Sequence, residues 1–314
     1  MRIVDLAATV LALATLSCTT TTGTLNVLDA KTDKAHPATY LGLPLRSGQL
    51  VITEAPGAYS FVFALIPEHY HPFTHAAIIS MEDGQPYVYD ISGRYKPTFH
   101  SRVLDNVKGG MRRTPFDQYV TPNLYAEVYD LPDGIDPARA VAFAKQKFAD
   151  GVEFDAFFDN ASHDKLFCTE LVQLEMVAGG AKPVPMDTVR ANPSLKLAMQ
   201  WLGVPLGEAL PPIFFVDQKH YVGSLGQFSS RTAAYSYFEG KRELHRRFQK
   251  NQRLGFLFEL HGSGDISARP EIDDFMVKAT HVFDGAKDLP PPGDERITKE
   301  VRRLADATFG PLAD

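Results

Sequence analysis

The spacing of apolar positions changes character along the chain. Short strand-like runs come first: Gln49-Leu50-Val51-Ile52-Thr53, rich in β-branched residues, then Ala76 to Met81, Tyr87 to Ile91, and Leu124 to Leu131. Between the second and third, Glu82-Asp83-Gly84-Gln85 is a turn sequence that joins them as a hairpin. The period then lengthens. Asp136-Pro137 is a cap and first-turn pair, and Ala140, Val141, Ala144 and Phe148 follow at helical spacing until Asp150-Gly151. A second apolar helix opens at Cys168, with Ser162 or Asp164 expected to cap it, and stops at Gly179-Gly180. From about Tyr221 the pattern is mostly helical, with helices expected at Arg231 to Asn251, Pro270 to Phe283 and Asp294 to Ala307. This order predicts an α+β fold, a sheet packed on helices, with a helical C-terminal region.

The chain ends change the picture. Arg2, an apolar run from Leu6 to Leu16 and a final Leu16-Ser17-Cys18 read as an export leader over residues 1–18. Its end resembles a bacterial lipoprotein signal, which implies lipidation of Cys18 and a membrane tether; simple secretion is the alternative. Residues 19–44, Thr-rich at first and then polar, are expected to be a tether. A main domain is expected over residues 45–218, and a helical accessory region over residues 219–314.

With 314 residues and 44% hydrophobic content, the chain can build a substantial core. Its formal charge of −6 argues against nucleic acid as a main partner, since phosphate contact needs clustered cations. The densest basic cluster, Lys241, Arg242, His245, Arg246, Arg247, Lys250 and Arg253, has helical spacing and reads as a solvated helix face.

Of the two cysteines, Cys18 falls in the leader, so Cys168 is the one free thiol expected in the mature chain. A helix start favours a thiolate, because its first N–H groups are unpaired and its dipole is positive there. Taken alone, a cysteine on an apolar helix reads as a small buried hydrophobe. Its candidate partner is His75, at the start of a strand. The stretch Glu68-His69-Tyr70-His71-Pro72-Phe73-Thr74-His75 also offers imidazoles to zinc, but Pro72 prevents a helix from presenting them at fixed spacing. No metal or cofactor is therefore expected, and Tyr70 and Phe73 are expected to line a substrate cleft.

Thr74-His75-Ala76-Ala77-Ile78-Ile79, followed much later by Phe167-Cys168-Thr169-Glu170-Leu171-Val172, resembles the YiiX/YebB-like permuted papain-like family of NlpC type. In that family the histidine precedes the cysteine. Gly48-Gln49-Leu50-Val51, Val88-Tyr89-Asp90 and Phe154-Asp155 match its remaining elements, and the resemblance runs from about Leu45 to Asp217. It implies a circularly permuted papain-like fold in which Cys168 is the nucleophile, His75 the general base and acid, and Asp90 the residue that orients His75. Phe154, Asp155 and Glu170 would support the site. Gln49, Phe154 and Asp90 stand where the family has Asp, Tyr and Glu. The shorter acid at Asp90 implies a contact to His75 rebuilt by a backbone shift or through a water.

The function implied is an exported, envelope-associated cysteine hydrolase of amidase or peptidase type. It would cleave an amide or ester bond of a peptide, peptidoglycan or lipid-amide substrate through an acyl-enzyme. The rival readings are an acyltransferase resembling lecithin retinol acyltransferase, and a non-catalytic envelope protein that binds a peptide or lipid in the same cleft.

Overall fold

The computed structural model describes residues 24–31, 40–65, 67–94, 108–188, 207–251, 253–260 and 266–312. Its centre is β2 (Leu50–Glu54), buried along its whole length. This strand is paired on both edges, to β3 (His75–Glu82) and β6 (Tyr125–Tyr129), and its two faces are both covered. A strand in that position has no solvated face, which accounts for an apolar run rather than strict alternation. Together with β1 (Asn26–Ala30), β4 (Gln85–Arg94), β5 (Lys108–Pro115) and β9 (Tyr221–Gly226) these form one antiparallel seven-stranded sheet, in the order β1-β9-β6-β2-β3-β4-β5, while β7 (Asp187–Thr188) and β8 (Glu208–Ala209) pair separately.

Alternate residues build two cores. Leu50, Ile52, Ala76 and Ile78 pack with α3 (Pro137–Ala149) and α4 (Cys168–Ala178). Val51, Ala77, Ile79 and Val88 face the other way, against Phe116, Tyr119 and Val120 of the short helix α2 (Phe116–Val120). The protein is thus α+β, an antiparallel sheet packed against helices. Asp136 caps α3 as expected, accepting from Ala138 N at 2.9 Å and Arg139 N at 3.2 Å. The β3–β4 hairpin turns at Asp83 and Gly84, both with positive φ (50° and 79°), the backbone that an Asp-Gly pair favours.

The sheet extends beyond the expected main domain. Asn26–Ala30, expected in the tether, pairs with β9, and β9, expected to open the accessory helical region, lies between β1 and β6. Backbone pairing sets these strands, and neither segment has a long alternating signature. The leader and Cys18 lie outside the described residues. No described helix is long and apolar enough to cross a membrane.

Three helices follow, α5 (Arg231–Asn251), α6 (Pro270–Thr280) and α7 (Glu295–Phe309). The basic stripe of α5 is solvated only in part, at Arg242 and Lys250. Lys241, His245 and Arg247 are buried. Arg247 is held by Glu243 at 2.8 Å and Asp306 at 2.5 Å. Lys241 Nζ lies 2.6 Å from Glu54 Oε1 on β2, which also accepts from the Tyr237 hydroxyl at 2.8 Å and from Ser60 of α1 (Ala58–Leu65). Burial pushes the Lys241 ammonium down, and the Glu54 carboxylate opposes it.

Breaking this pair leaves a charge stranded in the core. Lys241→Met should lower stability by about 3–5 kcal/mol in urea unfolding, and Glu54→Gln added to it should recover most of the loss. Equal losses in the single and double variants would remove the pair from any role in stability.

Candidate functional site

The approach to α4 is set by backbone pairing. Phe154 and Leu166 form a parallel bridge, with Asp155 N donating to Leu166 O at 2.8 Å and Leu166 N to Glu153 O at 3.1 Å. The Asp155 carboxylate closes the intervening turn by accepting from Phe157 N and Asp159 N. The Phe154 ring packs where Gly93 has no side chain: a Cβ there would lie 2.2 Å from the ring.

Phe167 enters the helix in extended conformation, so neither Ser162 nor Asp164 caps it; these two bond each other instead. Glu170 does the work from inside the first turn. Its carboxylate accepts from Phe167 N at 3.3 Å and lies 2.6 Å from His163 Nδ1. Cys168 is therefore the first helical residue, half-buried, among the N–H groups that a helix leaves unpaired.

The β3–β4 ladder runs from Ile78↔Tyr89 to Glu82↔Gln85, so His75 lies beyond its end. Continuing that register sets Asp90 opposite Ala77, which makes His75 and Asp90 diagonal neighbours on one face. His75 Nε2 is 3.0 Å from Asp90 Oδ2. The contact is direct rather than through the expected water, because the diagonal already brings the short acid within reach. Across the next ladder Arg112 is the direct partner of Asp90, with Nε 3.2 Å from Oδ1 and Nη2 2.5 Å from Oδ2. Asp90 itself is wholly buried.

The electrostatics follow from this chain of contacts. Burial acts to raise the Asp90 carboxyl, but His75 and Arg112 on either side overcome it and hold the group below its usual range. Burial likewise acts to lower the His75 imidazole. Cys168, through charge and a hydrogen bond, and Asp90, through the same two effects, push it up to about 10. With Nε2 taken by Asp90, Nδ1 is the ring nitrogen left for the sulfur. The arrangement Arg112, Asp90, His75, Cys168 alternates in charge when the sulfur is a thiolate. It can hold a proton on the ring beside a nucleophile.

Other expected site residues lie elsewhere. The Tyr70 hydroxyl donates to Phe238 O at 2.8 Å, and Phe73 is buried against Tyr125 and Phe238. Both contact Phe238 of α5, and neither lines the cavity beside His75. His69 and His71 converge on Asp187, at 2.9 Å and 3.0 Å, away from the Asp90 contact of His75. Among the described residues no group of three or more His, Cys, Asp or Glu is arranged to hold a metal ion. Gln49 is buried and donates to Asp130 and Pro44 O, anchoring the start of β2.

Beside His75 opens a cavity of about 320 Å³, whose wall includes Thr53, Arg112 and Tyr119. None of these three was a sequence candidate. The available signal was the opposite-charge pair Asp90–Arg112 across two strands, hidden because Gly109, Gly110 and Pro115 mask β5 as a loop.

No family model matches the chain, and no curated protein matches it. Among solved structures, the chain is similar to the crystal structure of metalloprotein yiiX from Escherichia coli O157:H7. The identity is 16%, over 56% of this chain and 94% of that one, with a TM-score of 0.43.

Glu175, two turns along α4 from Cys168, is fully buried, and neither carboxyl oxygen has a hydrogen-bond partner. Burial, with the Asp90 charge second, pushes its carboxyl well above the usual range. The native state therefore keeps a proton that the unfolded chain releases above about pH 4, and stability falls as pH rises from there. Glu175→Gln should unfold near the native temperature at about pH 4 and clearly above it at about pH 7. A constant difference at both pH values would mean that Glu175 does not carry this proton.

Proposed function

We propose that the protein is a cysteine hydrolase of amidase or peptidase type, in a permuted papain-like arrangement, with Cys168 as nucleophile, His75 as general base and acid, and Asp90 as the residue that orients His75. The observation that carries this reading is the direct His75–Asp90 contact, with the half-buried Cys168 at the first position of α4 acting to raise the same ring. The order of the His75 and Cys168 motifs, shared with the permuted papain-like family, supports it.

In this reading the Cys168 thiolate attacks a carbonyl carbon, and the resulting oxyanion is met by backbone N–H groups at the start of α4. The tetrahedral species collapses as the C–N or C–O bond breaks, and the proton on His75 passes to the departing nitrogen or oxygen. Water, deprotonated by His75, then attacks the thioester and releases the acid. Asp90 stays ionised between two cations and fixes the ring. Exported location, a lipid tether at Cys18 and a peptide, peptidoglycan or lipid-amide substrate complete the proposal.

Iodoacetamide labelling at about pH 6 tests the pair directly, and Cys168 should react at least about tenfold faster in the native protein than in His75→Ala. Equal, slow labelling in both would leave a structural thiol and favour a binding protein. If the pair holds, faster loss of the acyl-enzyme on adding an amine or alcohol would redirect the assignment to acyl transfer.

A further inference from the structure

The cavity beside His75 has a consistent polarity. Arg112 stands in its wall with a half-exposed side chain, and Asp90 occupies only Nε and Nη2 of its guanidinium. Nη1 makes no hydrogen bond among the described residues, and an arginine has five N–H donors in all. The acid that pairs with Arg112 is wholly buried behind it, and no described acidic residue lines the cavity.

Two hydroxyls of the wall are unspent. Thr53 Oγ1 on β2 and Tyr119 Oη on α2 are buried and interact with each other, and neither has a further hydrogen-bond partner among the described residues. An unsatisfied buried hydroxyl costs free energy, which a ligand oxygen would restore. Burial first, and the Asp90 charge next, push the Tyr119 phenol well above its usual range, so it is a neutral donor. The Tyr119 ring is 6.2 Å from the His75 ring, centre to centre. A fixed cation and a pair of hydroxyls without a further partner around a concave space, with no competing carboxylate among the described residues, match a planar anion better than a neutral amide.

We propose that this cavity is a substrate subsite for a carboxylate, held by the Arg112 guanidinium and by the hydroxyls of Thr53 and Tyr119. Resting on the hydrolase reading, it defines the substrate class as an amide or ester carrying a free carboxylate close to the scissile bond. Arg112 would then act twice, fixing Asp90 with one edge and the substrate with the other.

The test is an NMR titration of the full chain carrying Cys168→Ala, which cannot form an acyl-enzyme, with N-acetylglycine and separately with N-acetylglycinamide. The carboxylate should bind about tenfold more tightly than the amide, since a hydrogen bond to a charged group outweighs a neutral one. Adding Tyr119→Phe should reduce that preference severalfold, and adding Arg112→Lys should abolish most of it. Tyr119→Phe keeps the ring and its packing, so it remains informative even where Arg112→Lys loosens Asp90. Equal affinity for the two ligands, or a preference untouched by Tyr119→Phe, would overturn the subsite. Failure of the hydrolase reading appears elsewhere, as slow labelling of native Cys168, and a carboxylate preference would survive it as a binding site.

Discussion

A carboxylate with no exposure to water governs this site. Moving an ion of that kind into the interior costs several kcal/mol, and the cost is tolerable only where opposite charge and hydrogen bonds replace the lost water. Asp90 finds both, in His75 on one strand and Arg112 on the other. The positions of β3, β4 and β5 are therefore bound together electrostatically as well as by their ladders. The same carboxylate contacts the His75 ring and holds one edge of Arg112. A neutral residue at position 90 would leave two cations facing each other across it.

The second constraint is how polar groups are distributed through the larger core. Glu54 accepts from Lys241, Tyr237 and Ser60, while its neighbour Thr53 faces the cavity. Adjacent residues of β2 thus serve the C-terminal helices and the candidate site on opposite faces. The C-terminal region is consequently part of what holds the cavity wall in place.

Much of the fold was legible because local chemistry announced it. Asp83-Gly84 marked the hairpin, Asp136-Pro137 marked the start of α3, and the helical periods of α4 to α7 survived into the structure. The strands β1, β5 and β9 were not legible, since glycine-rich or short segments become strands only by pairing with neighbours remote in sequence. Cys168, His75 and Asp90 could be picked out from their order and motifs. Arg112 and Tyr119 could not, because one lies in a stretch that reads as a loop and the other on a five-residue helix. The α5 stripe misled for a physical reason: cations at helical spacing look the same whether water or buried acids await them.

The place of β9 within the sheet bears on how this protein can be divided. A cut at residue 218, the expected end of the main domain, would strip β9 from β6 and leave β6 with a bare row of N–H and C=O groups. It would also remove Lys241 and Tyr237 from Glu54. The shortened piece would combine a sticky strand edge with an orphaned interior charge, so the region bearing Cys168 and His75 is not a module that can be lifted out and expressed alone.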